Sequence, residues 1–264
     1  MADIHSSAVI HPEAKIADSA SIGPFCFIGA NATIGENVVL HSSVTVTGET
    51  TLHDGCEIFH GAAIGTRPQV LGAKPFDNRT EIGARTVLRE FVSVHGASEG
   101  KEHPTRIGED CFLMVNSHIG HDVQIGNKCV FSPNVMIGGH AIVGNQVWMG
   151  GGAGVHQNTW IGDHAFIAAG CMLTGDVVPF MVAEGTESKL ASLNGVGLSR
   201  RGFSRADMQQ IRKAVHFVLA SDDGQLKDRL AAATIEFKDQ PLAMQVIDFL
   251  NAPRAGRKIC TFRK

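Results

Sequence analysis

The chain has 264 residues, enough for one large domain or two small ones. Charged residues make up 19% and hydrophobic residues 44%, a globular balance that excludes a disordered chain. A net charge of −3 argues against a nucleic-acid binder, and no apolar run approaches the about 20 residues that span a bilayer, so no transmembrane segment is expected.

The N-terminal stretch MADIHSSAVIHPEAKIADS has neither the basic start nor the long apolar run of a secretory signal, which predicts a cytoplasmic protein. Six cysteines are scattered without a CxxC pair, so they are expected as small buried residues in a reducing compartment. Thirty glycines and no tyrosine require a structural reason. Reading along the chain supplies one. Large aliphatics recur at every sixth position: Ile4, Ile10, Ile16, Ile22, Ile28, Ile34, Leu40, Val46, Leu52, Ile58 and Ile64. Residues 65 to 81 interrupt the series, which resumes in register at Ile82, Leu88 and Val94. Residues 95 to 106 interrupt it again and shift its phase by one. It then runs through Ile107, Leu113, Ile119, Ile125, Phe131, Ile137, Val143, Met149, Val155, Ile161 and Ile167 to Leu173. Glycine often follows the aliphatic directly, as at Gly120, Gly126 and Gly138.

Neither a helix (period 3.6) nor a strand (period 2) predicts a pure six. One short strand plus one turn does, and three such units make a coil of a triangular prism with the aliphatics at its centre. Glycine fits the turns, where positive φ or close backbone approach is needed. The pattern resembles hexapeptide-repeat proteins, and that resemblance implies a mainly β fold, a left-handed parallel β-helix. Residues 18 apart then stack on one face. Beyond Leu173, Ser204 reads as the N-cap of a helix with Ile211, Val215 and Val218 on its apolar stripe, and two more helices are expected near 225 to 238 and 240 to 251. The expected organisation is a β-helix over residues 1–185, with inserted loops at 65–81 and 95–106, and a C-terminal helical domain over 186–264 that caps the prism's open end.

On this frame, Ile119 points inward and His118 outward, while His121 falls at the next turn with Asp122 beside it. His140 lies one coil beyond Asp122, and His156 follows inward Val155. The four histidines and Asp122 therefore gather along one outer edge. Two chemistries compete for such a cluster. Imidazoles bind zinc, and some trimeric carbonic anhydrases of this fold do so with paired histidines five apart, not three. Alternatively, a neutral imidazole oriented by a carboxylate acts as general base.

The segments LMVNSHIGHDVQIGNKCV, GGHAIVG, GVHQN, VVPFMVAEG and LSRRGFSR, with the insertions and helical tail, resemble the acyl-ACP–UDP-N-acetylglucosamine O-acyltransferases, the first enzymes of lipid A synthesis. The resemblance covers nearly the whole chain. It implies acyl transfer from an acyl carrier protein thioester to the sugar 3-hydroxyl, no other cofactor, no metal, and a homotrimer with sites between subunits. Carried over, His121 is the general base, Asp122 its orienting partner and Gly139 the oxyanion N–H. His118, His140, His156 and Gln157 contact substrate, as does Gln69; His95 lies near the phosphates; Asn194, Arg200 and Arg201 contact the nucleotide. Phe166 and Ala169 align with the positions that limit acyl length. Arg200, Arg201, Arg205, Arg212 and Lys213 read either as a patch for an acidic carrier protein or as a solvated helix face. Three departures stand out. Val70 and Gly72 replace charged residues of the first insertion, and Val196 replaces a glutamate that reads uracil. Lys74 and Asp77 are candidates to replace those contacts; the alternative is a paralogue that acylates another nucleotide-linked sugar, at a hydroxyl or an amine, or a non-catalytic binding protein.

Overall fold

The computed structural model describes residues 1–72, 78–98, 103–220, 224–253 and 258–262; Lys74 and Asp77 lie outside them. Three parallel sheets form the faces of a prism. The first face runs from Asp3–Ile4 up to Phe166–Ile167, the second from Val9–Ile10 to Met172–Leu173, and the third from Lys15–Ile16 to Trp160–Ile161. Most strands are two residues long and, away from the two interruptions, pair with the neighbour 18 positions away, as His118 does with Met136. The hexad aliphatics are the core: Ile22, Ile28, Ile58, Ile119, Phe131 and Ile137 are at most 1% exposed. Each such burial contributes roughly 1.5–3 kcal/mol.

A second inward position lies two residues earlier and accepts only small side chains: Ala20, Cys26, Val38, Cys111, Ser117, Cys129 and Ala141 are examples. This slot holds five of the six cysteines, Cys260 being the exception in the C-terminal segment. All six are free and buried, and Cys111 and Cys129 donate their thiols to the carbonyls of Gly126 and Gly144 at 3.2 and 3.1 Å.

The glycines after the aliphatics, Gly65 excepted, serve close approach and not positive φ. A Cβ on Gly23 would lie 2.9 Å from the backbone of His41 in the next coil, and one on Gly120 would lie 2.8 Å from the amide nitrogen of Gly139. Positive φ falls instead two residues after such glycines, on non-glycine residues such as Asn37, Asp110, Asp122 and His140. Asn, Asp and His tolerate this region better than most side chains.

The first interruption is narrower than the aliphatic pattern implied: its flanking strands extend to Thr66 and restart at Arg79. The second separates Ser93–His95 from Thr105–Ile107. At the top, Met181–Glu184 joins the first face and turns back antiparallel into Lys189–Leu193. Among the described residues four α-helices follow: α1 (Gly195–Arg200), α2 (Arg205–Val215), α3 (Leu226–Glu236) and α4 (Pro241–Asn251). Ser204 caps α2 in a capping box with Asp207, and one π-helical turn, His216–Ala220, continues it. Helical Ile211, Val218 and Val246 share one continuous core with the prism, so the tail closes the upper end. Among the described residues, no helix is long and apolar enough to cross a membrane.

Candidate active site

The turn between the second and third faces, hereafter the second corner, carries Gly120-His121-Asp122, and one coil above it Gly138-Gly139-His140. Because the corner follows the inward Ile119 and Ile137, its next side chains project outward, and stacking sets the two tripeptides roughly 4.8 Å apart. His121 Nδ1 lies 2.7 Å from Asp122 Oδ2. The Asp122 carboxylate also accepts the Ser98 N–H at 2.9 Å and the Ser98 hydroxyl. Asp122 N–H donates to Thr105 Oγ1 at 2.8 Å. Burial pulls the Asp122 carboxyl upward, but the bonds from Ser98 and His121 together hold it below the usual carboxylate range. It is thus an anion that fixes one imidazole nitrogen.

The His121 ring lies over Gly139. A Cβ there would be 2.7 Å from both Cε1 and Nε2 of the ring, so only glycine admits this packing. The Gly139 N–H finds no acceptor among the described residues. His140 stands edge-on to His121 with ring centroids 5.0 Å apart, and its Nε2 is 3.7 Å from Asp122 Oδ2. The ligand atoms of His121, Asp122 and His140 lie within 4.8 Å of one another. The Asp122 oxygens are already engaged by Ser98 and by His121, however, which suits an orienting carboxylate better than a metal ligand.

Beside this corner, a groove of about 430 Å³ on the second face is lined by Gln69, His95, His118, His121, Gly139 and His156, with Met136, Gly154 and Met172 beyond them. His118 Nδ1 is 2.8 Å from the Ser93 hydroxyl. His95 is 6% exposed and meets His118 edge-on. Burial, aided by His118 and His121, pushes His95 down to about 4, and burial also lowers His118. Both are therefore neutral near pH 7 and can accept or donate without carrying charge. Gln157 is exposed on the second corner one coil above Gly139.

The remaining expected site residues lie elsewhere on the chain. Asn194, Arg200, Arg201 and Phe166 line a separate groove of about 480 Å³ with Trp148 and Val196. Asn194 donates to the His164 carbonyl at 2.9 Å and caps α1 by accepting from Gly197 N–H. Arg201 donates to the Gln146 carbonyl at 2.9 Å, and its other terminal nitrogen is buried without a partner among the described residues. Burial lowers its affinity for a proton, so an anion there would be favoured. Ala169 lines a third depression with Glu184, Lys189 and Leu219. The expected site residues thus fall in separate grooves of the chain.

Three participants were not legible from the periodicity. Ser98 sits in the second interruption, where no repeat fixes its position. Met136 and Met172 are ordinary outward positions of the hexads until the groove is seen.

A sequence model described as UDP N-acetylglucosamine O-acyltransferase, domain 2, matches residues 176–260, and two hexapeptide-repeat models match residues 104–139 and 20–48. Over 256 residues, the chain is 36% identical to the acyl-[acyl-carrier-protein]–UDP-N-acetylglucosamine O-acyltransferase of Myxococcus xanthus, covering 97% of this chain and 99% of that one. It is 41% identical over 257 residues to the enzyme of the same name from Caulobacter vibrioides, covering 97% of each. The solved structure of LpxA from Acinetobacter baumannii superposes with a TM-score of 0.92 at 34% identity, over 97% of this chain and 99% of that one. The Francisella novicida UDP-N-acetylglucosamine acyltransferase gives 0.91 at 32%, over 98% and 94%. Identity at this level over nearly full length, on one left-handed β-helix, establishes kinship: the chain belongs to the acyl-[acyl-carrier-protein]–UDP-N-acetylglucosamine O-acyltransferase family.

Proposed function

We propose that the enzyme moves a 3-hydroxyacyl chain from acyl carrier protein to the 3-hydroxyl of UDP-N-acetylglucosamine, the first step of lipid A synthesis. The observation that carries this reading is the His121 ring, held by Asp122 on one nitrogen and packed with the other beside Gly139, whose N–H has no acceptor among the described residues. His121 Nε2 takes the proton of the sugar hydroxyl as its oxygen attacks the thioester carbonyl. The carbonyl oxygen gathers negative charge against the Gly139 N–H, a stabilisation often among the largest in acyl transfer. Collapse breaks the C–S bond, and the imidazolium returns its proton to the departing thiolate. Asp122 holds the ring and offsets its transient charge. The thioester supplies its own activation, so this chemistry calls for no cofactor.

Neutral His95 and His118 can hydrogen-bond the sugar nucleotide, and Gln69 borders the same groove. Arg200, Arg201 and Asn194 suit the nucleotide, but they lie in the other groove of the same chain. A homotrimer would bring one copy's Arg201 groove against the next copy's His121 groove. The outward residues Val87, Phe112, Val130, Trp148 and Phe166 of the first face support this, since they form an apolar strip that a neighbour would cover.

Val70, 40% exposed, and Val196, 68% exposed, offer no charge to a sugar nucleotide, and this favours one second reading, acylation of a different nucleotide-linked sugar. Mass-spectrometric detection of acyl transfer decides between the two. Product from UDP-N-acetylglucosamine and a 3-hydroxyacyl carrier protein, lost in His121→Ala, is the expected result. Product only with another nucleotide sugar would replace the acceptor and keep the mechanism. No product with any acceptor would overturn both.

A further inference from the structure

The outward residues of the second face climb in a single column: Ser93, His118, Met136, Gly154, Met172. Its lower part is polar and meets His95 and His121. Its upper part is two half-exposed methionines on either side of a residue without a side chain, at 48% and 43% exposure for Met136 and Met172. The gap at Gly154 does not stand open. A Cβ placed on Gly154 would lie 2.6 Å from Met172 Cε and 2.9 Å from its Sδ, so the thioether arm folds down across it. All three residues line the same cavity as His121 and Gly139, together with Val155 and Leu173. Phe166 and Ala169, aligned above with acyl-length positions, each line a different depression of this chain.

Resting on the acyltransferase reading, we infer that Met172 sets acyl-chain length in this enzyme. The carbonyl end of the chain lies at His121 and Gly139, and the methylenes run over Met136 and the flat surface at Gly154. Methionine is unbranched and turns about three bonds, so its arm is a yielding stop and not a rigid wall. The arm over Gly154 occupies the space that further methylenes would need.

The test measures kcat/KM for a series of 3-hydroxyacyl carrier proteins stepped two carbons at a time, with wild type, Met172→Ala and Met172→Phe. Met172 lies outside the prism's core and is 43% exposed on the chain, so Met172→Ala should fold. A pocket discriminates about tenfold or more per methylene it admits or refuses. Met172→Ala should therefore raise the long-to-short ratio of kcat/KM at least about tenfold, and Met172→Phe should lower it by a similar factor. The KM for the sugar nucleotide should not move in either variant. An active wild type whose length profile is the same in both variants would overturn this inference and leave the acyltransferase reading intact. A wild type that transfers no acyl chain of any length would overturn the reading and the inference together.

Discussion

The second corner of the prism and the third, between the third and first faces, share one turn. Each has an inward aliphatic, a glycine, one free position, and then a residue at positive φ, as in Ile119-Gly120-His121-Asp122 and Ile125-Gly126-Asn127-Lys128. They differ in the free position. At the third corner it holds Asn127, Asn145 and Asp163 in successive coils, and each side chain accepts the backbone N–H one coil below: Glu109 to Asn127 at 2.9 Å, Asn127 to Asn145 at 2.9 Å, Asn145 to Asp163 at 2.8 Å. At the second corner the same column reads His121, Gly139, Gln157. Glycine has no side chain to cap the amide below it, and the Gly139 N–H is itself left without an acceptor among the described residues. One corner uses the turn to satisfy its backbone. The other leaves donors unsatisfied and sets an oriented imidazole beside them, the arrangement acyl transfer needs.

Four changes break or sharpen this contrast. The largest effect is expected from Gly139→Ala. Its Cβ collides with the His121 ring, so kcat should fall about 10²–10³-fold, as when an oxyanion donor is lost. Circular dichroism should show the solenoid intact, because φ at this position is not positive. Asp122→Asn should follow, with kcat falling at least about tenfold in the transfer assay, because the amide cannot accept from both Ser98 and His121 as the carboxylate does. On the third corner, Asn145→Ala should leave kcat unchanged. It should cost about 1 kcal/mol for the uncapped Asn127 amide, seen as a melting temperature lower by a few degrees. The effect smallest at neutral pH concerns His95. Its folded value near 4 lies below the ordinary 6.5, so the unfolded chain takes the proton first. Stability should be lost as pH falls from about 6.5 toward 4, with no contribution above that window. His95→Asn should reduce the drop in melting temperature between neutral and acid pH; an unchanged drop would place the protonation elsewhere.

The fold was legible because its large core positions are chemically uniform. One aliphatic every sixth residue survives both interruptions, and it predicts where His118, His121, His140 and His156 fall. The second inward slot was hidden by its own chemistry, since Ala, Cys, Val, Thr and Ser share small volume and not hydropathy. α1 was hidden by its length of six residues. The orienting shell was hidden for a different reason: Ser98 reaches Asp122 from a non-repeating segment, and contacts made by such segments have no period to betray them. Nor could periodicity reveal that Asn194, Arg200 and Arg201 line a groove apart from His121, because that depends on how the hairpin and α1 fold back over the first face.

Steady-state acyl transfer and thermal melting, measured together on His121→Ala, test the division of labour between the two corners most directly. The account predicts a loss in kcat of about 10²–10⁴-fold, the usual range for a general base, with a melting temperature close to that of wild type. Activity near the wild-type rate, or activity and melting temperature falling in proportion, would contradict it, because either result would make His121 one more solvated or structural residue of the coil.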